Sequence, residues 1–477
     1  MARIVILGAG FAGHTAAVYL GNRLGKDHEI TVVNKYSYFC YLPSLIWVAV
    51  GHMHPDKVRC SLKDIYDRIN VHFVQGTAHT VYPESNRVLV HEIGSGAERS
   101  LDYDYLVIAT GPRLDFDATP GLGPRAGTTL SICWLDHAIE CRNTYLEQVE
   151  RMRRGEQVTM VLGSGHATAT CQGAAFEYLA NIHKDLVRKK IRNRATLRWL
   201  SNEPALGDFG VGGVRVRRKG RVSDSETFMR QVLKEFDIEW EVRRAVTAVE
   251  PGRVYWEDDQ GREGETGFDF AMLLPRFQGV NFSFLADDGR DLGPTMLNPG
   301  GFVLVDGFYG LDHETLKITP EAWPATYQNP SYRNIFAPGI AFAPPGTVSE
   351  PLTSPTGTTI VATVPRTGMV SGIVGRLVAL NIIGLVQEGT MHHQERMSEM
   401  FTACIASMDD SLWDGSAISV LVYPVVPNHV RYPETFGRDM FITRLDKGVS
   451  SAWIKRIIHT TMFYKNKSLP GWQFIPE

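Results

Sequence analysis

The 477-residue chain has no Cys-x-x-Cys pair and no histidine cluster at zinc-ligand spacing, so its six cysteines and 15 histidines suggest no metal site. So long a chain does not suit a disulfide framework either. No charge sign dominates: 49 Lys and Arg against 52 Asp and Glu leave a net charge of −3, which removes the expectation of a nucleic-acid partner. Low-complexity tracts are lacking. The N-terminal residues Arg3-Ile4-Val5-Ile6-Leu7 enter a strand almost at once, without the charged and apolar regions of a leader, so no targeting segment is expected. The longest apolar stretch, Met369–Val386, is interrupted by Arg376, Asn381 and several glycines. A spanning helix needs about 20 mostly apolar residues, so this stretch reads as a buried helix.

What is present starts with a nucleotide site. The apolar run 3–7 is followed by Gly8-Ala9-Gly10-Phe11-Ala12-Gly13, a helix-forming stretch from Thr15 to Leu24, and a second strand from Glu29 to Asn34. Strand, Gly-x-Gly-x-x-Gly, helix and strand, in that order, form a Rossmann unit. Gly8 allows the tight turn, Gly10 lets backbone approach a pyrophosphate, and Gly13 lets helix pack on strand. The anion would rest on the helix N-terminus. At the end of the second strand stands Asn34, followed by Lys35, where a ribose-binding carboxylate is usual.

Two further stretches decide between FAD and NAD. Asp104-Tyr105-Leu106-Val107-Ile108-Ala109-Thr110-Gly111 and Asn334-Ile335-Phe336-Ala337-Pro338-Gly339-Ile340 resemble the later FAD signatures of two-dinucleotide-fold flavoproteins. Enzymes that bind only NAD have no use for them. In that superfamily the helix opening at Gly368 aims its N-terminus at the flavin. The expected fold class is therefore α/β, with two Rossmann-like FAD/NAD(P)-type domains and a C-terminal membrane-associating region. Residues 1–115 and 296–390 are assigned to the FAD domain, 116–295 to the second Rossmann-like domain, and 391–477 to a quinone and membrane region.

The second glycine turn, Gly163-Ser164-Gly165, continues as His166-Ala167-Thr168-Ala169-Thr170-Cys171 without a third glycine, and the next strand ends in Ser201-Asn202 rather than an acid. The nicotinamide site reads as degraded, with a cysteine at the head of the next helix. A helix N-terminus favours the thiolate, the reactive form of cysteine.

Over nearly its whole length the chain resembles the sulfide:quinone oxidoreductases, related to flavocytochrome c sulfide dehydrogenase. Beyond the glycine motifs, the resemblance is carried by Tyr38-Phe39-Cys40-Tyr41-Leu42-Pro43-Ser44, Ser131-Ile132-Cys133-Trp134-Leu135-Asp136-His137-Ala138, Thr170-Cys171-Gln172-Gly173-Ala174-Ala175-Phe176-Glu177-Tyr178, Asn298-Pro299-Gly300-Gly301-Phe302 and Pro365-Arg366-Thr367-Gly368. A further stretch is Thr402-Ala403-Cys404-Ile405-Ala406-Ser407-Met408-Asp409-Asp410. The resemblance implies FAD as cofactor, hydrogen sulfide as substrate, membrane quinone as electron acceptor, a homo-oligomer, and sulfur or polysulfide as product. It assigns catalytic roles to Cys171, Cys404 and the auxiliary Cys133, with His137 and Glu177 handling protons. It also assigns cofactor contacts to Gly8, Gly10, Gly13, Asn34, Lys35, Ala78, Thr110, Gly111, Gly301, Gly339, Ile340, Gly368 and Lys447, the last at the quinone end of the flavin. Cys40 and Cys60 receive no role, and Cys141 reads as packing.

Near the C-terminus, Trp453, Ile454, Ile457, Ile458 and Thr461 share one helical face, with Lys455, Arg456 and His459 opposite, followed by Tyr464, Lys465, Lys467, Leu469, Trp472 and Phe474. A basic amphipathic helix with interfacial aromatics reads as a peripheral, monotopic contact with a lipid surface. Deleting residues from Ser451 onward is accordingly expected to free the protein from membranes and spare flavin reduction by sulfide, with residues 411–445 as the alternative anchor. The basic run from Arg215 to Arg221 reads as a solvated loop. Alternative readings are a sulfide dehydrogenase passing electrons to a haem partner, an NADH:quinone oxidoreductase, and a non-enzymatic flavoprotein.

Overall fold

The computed structural model describes residues 1–218, 220–280, 282–408 and 415–477. Asp409, Asp410, part of the alternative anchor segment and Lys219 of the basic run lie outside the described residues.

The strand Arg3–Leu7 is apolar along its length and almost wholly buried, as a central parallel strand covered on both faces should be. It pairs in parallel with Glu29–Asn34 on one side and Tyr105–Ile108 on the other. The sheet runs in the order Ile335–Phe336, Tyr105–Ile108, Arg3–Leu7, Glu29–Asn34, His72–Tyr82, Arg87–Glu92 and Glu98–Asp102, the last two antiparallel. A strand more than 200 residues downstream of the others thus completes the first sheet beside the second FAD signature. The helices Phe11–Leu24 and Gly368–Glu388 pack closely on each other through small residues. A Cβ on Gly375 would stand 2.3 Å from the carbonyl oxygen of Ala12. The longer helix has the length and composition to cross a membrane, but 61% of its most apolar window is buried within the protein, and Asn381 is tied to the backbone of His393.

A second, all-parallel sheet runs in the order Ile238–Glu241, Ala195–Leu200, Val158–Ser164, Phe270–Leu274. The helices Leu135–Arg153 and Gln172–Arg188 contribute to its core. The basic run is not a loop: Arg215–Arg218 and Arg221–Asp224 pair as antiparallel strands. C-terminal to both sheets, Thr402–Ser407, Ala417–Val422 and Arg444–Gly448 form a three-stranded antiparallel sheet, against which the terminal helix Val449–Asn466 lies.

Candidate active site

The cradle for a dinucleotide forms where Arg3–Leu7, Tyr105–Ile108 and Ile335–Phe336 end side by side. Gly8 has φ +96°, and a Cβ there would meet the Ala109 carbonyl oxygen at 2.4 Å; at Gly13 it would meet the Gly8 carbonyl oxygen at 2.0 Å. Neither position tolerates a side chain, whereas a Cβ on Gly10 meets nothing within 4 Å, leaving its backbone open to a ligand. The helix that begins after Gly10 has no side-chain cap, so its first N–H groups stay available to an anion. Thr110 and Gly111 follow the Tyr105–Ile108 strand, and Gly339, at φ +74°, lies against Ala12. At the start of the Gly368–Glu388 helix, the Thr367 hydroxyl is buried without a partner among the described residues. An open anion-binding turn, an orphaned hydroxyl at a helix N-terminus and three converging strand ends fit FAD.

Several expected contacts are engaged otherwise. Asn34 braces the glycine turn: its side chain accepts from the Ala9 N–H at 2.9 Å and donates to the Tyr36 carbonyl at 2.7 Å. The Lys35 ammonium lies 5.5 Å from the Tyr36 ring centroid, and Ala78 pairs with Val90 against the first core. Gly301, at φ +78°, accepts from the Val280 N–H in a turn. The backbone oxygen of Ile340 accepts from the Arg366 guanidinium at 2.9 Å. Lys447 pairs with Glu235 and lies 5.3 Å from the Phe236 ring centroid.

The second glycine turn is crossed by the chain that follows Pro344. Val361 donates its N–H to the Ala167 carbonyl at 3.0 Å, and Asn202 donates to the carbonyls of Ala167, Ala169 and Val361. The Thr170 hydroxyl donates to Thr363. Farther out, Ser349 bonds Asp208 and the hydroxyls of Thr356 and Thr358 donate to Glu257. A strap of residues 346–364 therefore lies across the turn on which a nicotinamide dinucleotide's pyrophosphate would rest. Asn202, which the sequence shows only as a missing acid, anchors the strap.

Three thiols gather beside this turn. Cys171 occupies the N-cap of Gln172–Arg188 at φ +71°, a left-handed conformation costing on the order of 1 kcal/mol for a residue with a side chain. The Cys404 sulfur lies 3.7 Å from where a Cβ on Gly173 would stand. Backbone N–H of Ala403 meets the Met369 sulfur at 3.3 Å, which sets the Cys404 strand beside the start of the Gly368–Glu388 helix. Burial pushes the Cys171 thiol up to about 12; Cys133 and Cys404 add to the rise and Arg366 opposes it. Cys133 rises to about 11, again through burial. Desolvation thus opposes the thiolate that a helix N-terminus would favour. Cys40 and Cys60 sit on paired strands but on opposite faces, since Cys60 stands opposite Phe39 and Cys40 opposite Arg59. Cys141 is buried with its sulfur against the Tyr178 hydroxyl.

The two expected proton carriers differ. His137 is half-buried near Phe116, its pKa lowered by burial, and its Nδ1 has no partner among the described residues. Glu177 is held by the protein: it accepts from the Ser407 backbone N–H at 3.0 Å and pairs with Lys455 at 3.2 Å. The terminal helix keeps the two faces its period predicts, but Lys455 and His459 of the basic face dock on the protein. Lys455 points inward and is only 7% exposed, His459 shares a 2.8 Å hydrogen bond with Ser44, and Trp453, Ile454 and Ile457 face outward. Lys465 and Trp472 also turn inward, to Glu477 and the Tyr19 ring. Arg366, Asn202 and Lys455 carried no sequence signal of their site contacts, because each acts through partners far away in the chain.

Residues 2–196 match the pyridine nucleotide-disulphide oxidoreductase family. The chain is 28% identical over 435 residues to a sulfide-quinone reductase of Aquifex aeolicus, covering 91% of this chain and 86% of that one. The crystal structure of the sulfide:quinone oxidoreductase from the same species superposes with a TM-score of 0.75 at 25% identity, covering 99% and 94% of the two chains. An NDH2 from Plasmodium falciparum in complex with NADH shares the fold, with a TM-score of 0.64 at 12% identity over 99% of this chain and 97% of that one.

Proposed function

We infer that this chain is an FAD-dependent sulfide:quinone oxidoreductase, with Cys171, Cys404 and Cys133 as its sulfur-handling residues. The observation that carries the reading is the gathering of these thiols at the head of the Gln172–Arg188 helix, between the flavin cradle and a nicotinamide groove that the strap already crosses. Bound FAD would supply a two-electron store between sulfide and quinone. The chain's own residues hold two thiols where sulfur can be exchanged between them, a chemistry that proceeds through thiolates and reversible sulfur–sulfur bonds. Arg366, protonated at neutral pH, faces Cys171 and favours its thiolate. His137 is half-buried at ordinary pH in its neutral form, which suits it to accept a proton from incoming sulfide.

Anaerobic addition of sulfide to the FAD-loaded protein is expected to bleach the flavin within a turnover time, and NADH or NADPH at micromolar levels is expected not to. The discriminating readout is absorbance near the flavin band; rapid bleaching by NADH would favour the NADH:quinone alternative and sink this one.

The terminal helix supports a lipid-dissolved acceptor rather than a haem partner. Trp453, Ile454 and Ile457 are each at least 44% exposed, in a row on one face, with Tyr464 following. Inserted among lipid tails, these three side chains would contribute roughly 3 kcal/mol together, a factor of more than 100 in partitioning. Replacing all three with serine is expected to move the protein from the membrane to the soluble fraction while sulfide still bleaches the flavin. Unchanged sedimentation with membranes would place the anchor elsewhere, for which Phe441 and Ile442 offer a second exposed apolar pair.

A further inference from the structure

An ammonium buried beneath a surface helix has a desolvation cost that only a partner can offset. Lys455 has two: the Ile405 carbonyl, to which its Nζ donates at 2.9 Å, and the Glu177 carboxylate at 3.2 Å. Glu177 in turn holds the Ser407 N–H. Ile405 and Ser407 belong to the strand that carries Cys404, so ammonium and carboxylate grip this strand just beyond the thiol. Gly173 and Glu177 are one turn apart on the same helix face, and the Cys404 sulfur lies against Gly173. The thiol and the ion pair are therefore neighbours along one helix, while the ammonium arrives from the C-terminal end of the chain.

We propose that Lys455 is a positioning residue for Cys404, holding its strand in place and its thiolate within reach of a fixed positive charge. The inference rests on Cys404 being one of the redox thiols. Among the described residues, the titratable groups facing Cys404 are Glu177 and Cys171 from the Gln172–Arg188 helix and Lys455 from the terminal helix; Arg366 faces Cys171. Burial raises the Cys404 pKa most, Lys455 lowers it, and Glu177 raises it. The two members of one ion pair thus act on the thiol with opposite signs. The terminal helix then does more than meet a lipid surface: undocking it would withdraw the charge that keeps Cys404 reactive.

The test is the pH dependence of Cys404 alkylation by iodoacetamide in the intact, FAD-loaded, anaerobically reduced enzyme, followed by peptide mass spectrometry. Lys455→Met is expected to raise the alkylation midpoint by about one pH unit, about tenfold less thiolate at a given pH below it. Glu177→Gln is expected to lower the midpoint, and Lys455→Arg to keep it near that of the unaltered protein. A loss of packing alone would not move the two variants in opposite directions. If Lys455→Met folds with an unchanged midpoint, or if Glu177→Gln raises the midpoint, the proposal is overturned. Should Lys455→Met fail to fold, Glu177→Gln decides the matter by the same sign. Because alkylation reads the thiol itself, the outcome is separate from whether sulfide reduces the flavin.

Discussion

Replacing Cys171 or Cys404 with serine is expected to abolish sulfide-driven quinone reduction, by roughly 10³-fold or more, while FAD stays bound. A hydroxyl cannot form the sulfur–sulfur bonds through which sulfide would be carried, nor is it a comparable nucleophile at neutral pH. The substitution removes little volume, and among the described residues neither sulfur accepts or donates a hydrogen bond that holds the flavin cradle, so cofactor content is expected to be unchanged. Cys133→Ser is expected to slow turnover without stopping it, since Cys133 faces Cys171 but stands before the Leu135–Arg153 helix rather than at the helix head. Cys60→Ala and Cys141→Ala serve as controls: Cys60 packs on the first core, and Cys141 packs within the second with its sulfur against the Tyr178 hydroxyl. The measurement is anaerobic stopped-flow of flavin absorbance with sulfide. Full activity in Cys171→Ser would show that the thiol group is not the reaction centre.

Deleting residues from Ser451 onward is expected to destabilise both Rossmann-like halves, not merely release the protein from lipid. The deletion strips Lys455 from Glu177, whose carboxylate is almost fully buried. Breaking one side of a buried pair costs about 3–5 kcal/mol, a large part of a total stability of about 5–15 kcal/mol. It also removes the Asn466 carbonyl from His14 at 2.7 Å and the Trp472 ring from Tyr19, both contacts to the helix that opens the flavin site. The expected readouts are a Tm lower by roughly 10 °C and a substoichiometric flavin content. A truncated protein that keeps its FAD and its melting temperature would contradict this. The amphipathic pattern alone supports the opposite expectation, that sulfide chemistry survives the truncation. The triple serine variant is therefore the cleaner probe of the membrane, because it leaves Lys455 and the Asn466 carbonyl in place.

Much of the site was legible in the chain because its determinants are local. Gly8, Gly10 and Gly13 announce the turn by spacing, and the structure shows why two of them admit no side chain while the third leaves room for a ligand. Cys171 was legible from its place at a helix head, while the burial that raises its pKa was not. The missing third glycine after Gly165 suggested an absent nicotinamide site, but not that residues 346–364 lie across the groove, since nothing near Ala167 specifies a partner almost 200 residues away.

The sequence by itself determined the flavoprotein class, the two glycine turns and the identity of the cysteines, because short-range backbone geometry and residue chemistry encode each of them. Only the tertiary structure decided which way the terminal helix faces. Its 3.6-residue period shows that Trp453, Ile454 and Ile457 share a side opposite Lys455, but both sides can be buried by different means: apolar side chains by lipid or core, an ammonium by a carboxylate. Glu177, on a helix almost 280 residues earlier in the chain, supplies that carboxylate, so the basic side docks and the apolar side is left outward. Lys447 likewise finds its partner, Glu235, more than 200 residues earlier in the chain. Pairing across such distances is set by the packed chain as a whole, because a side chain's local sequence carries its charge but not its partner.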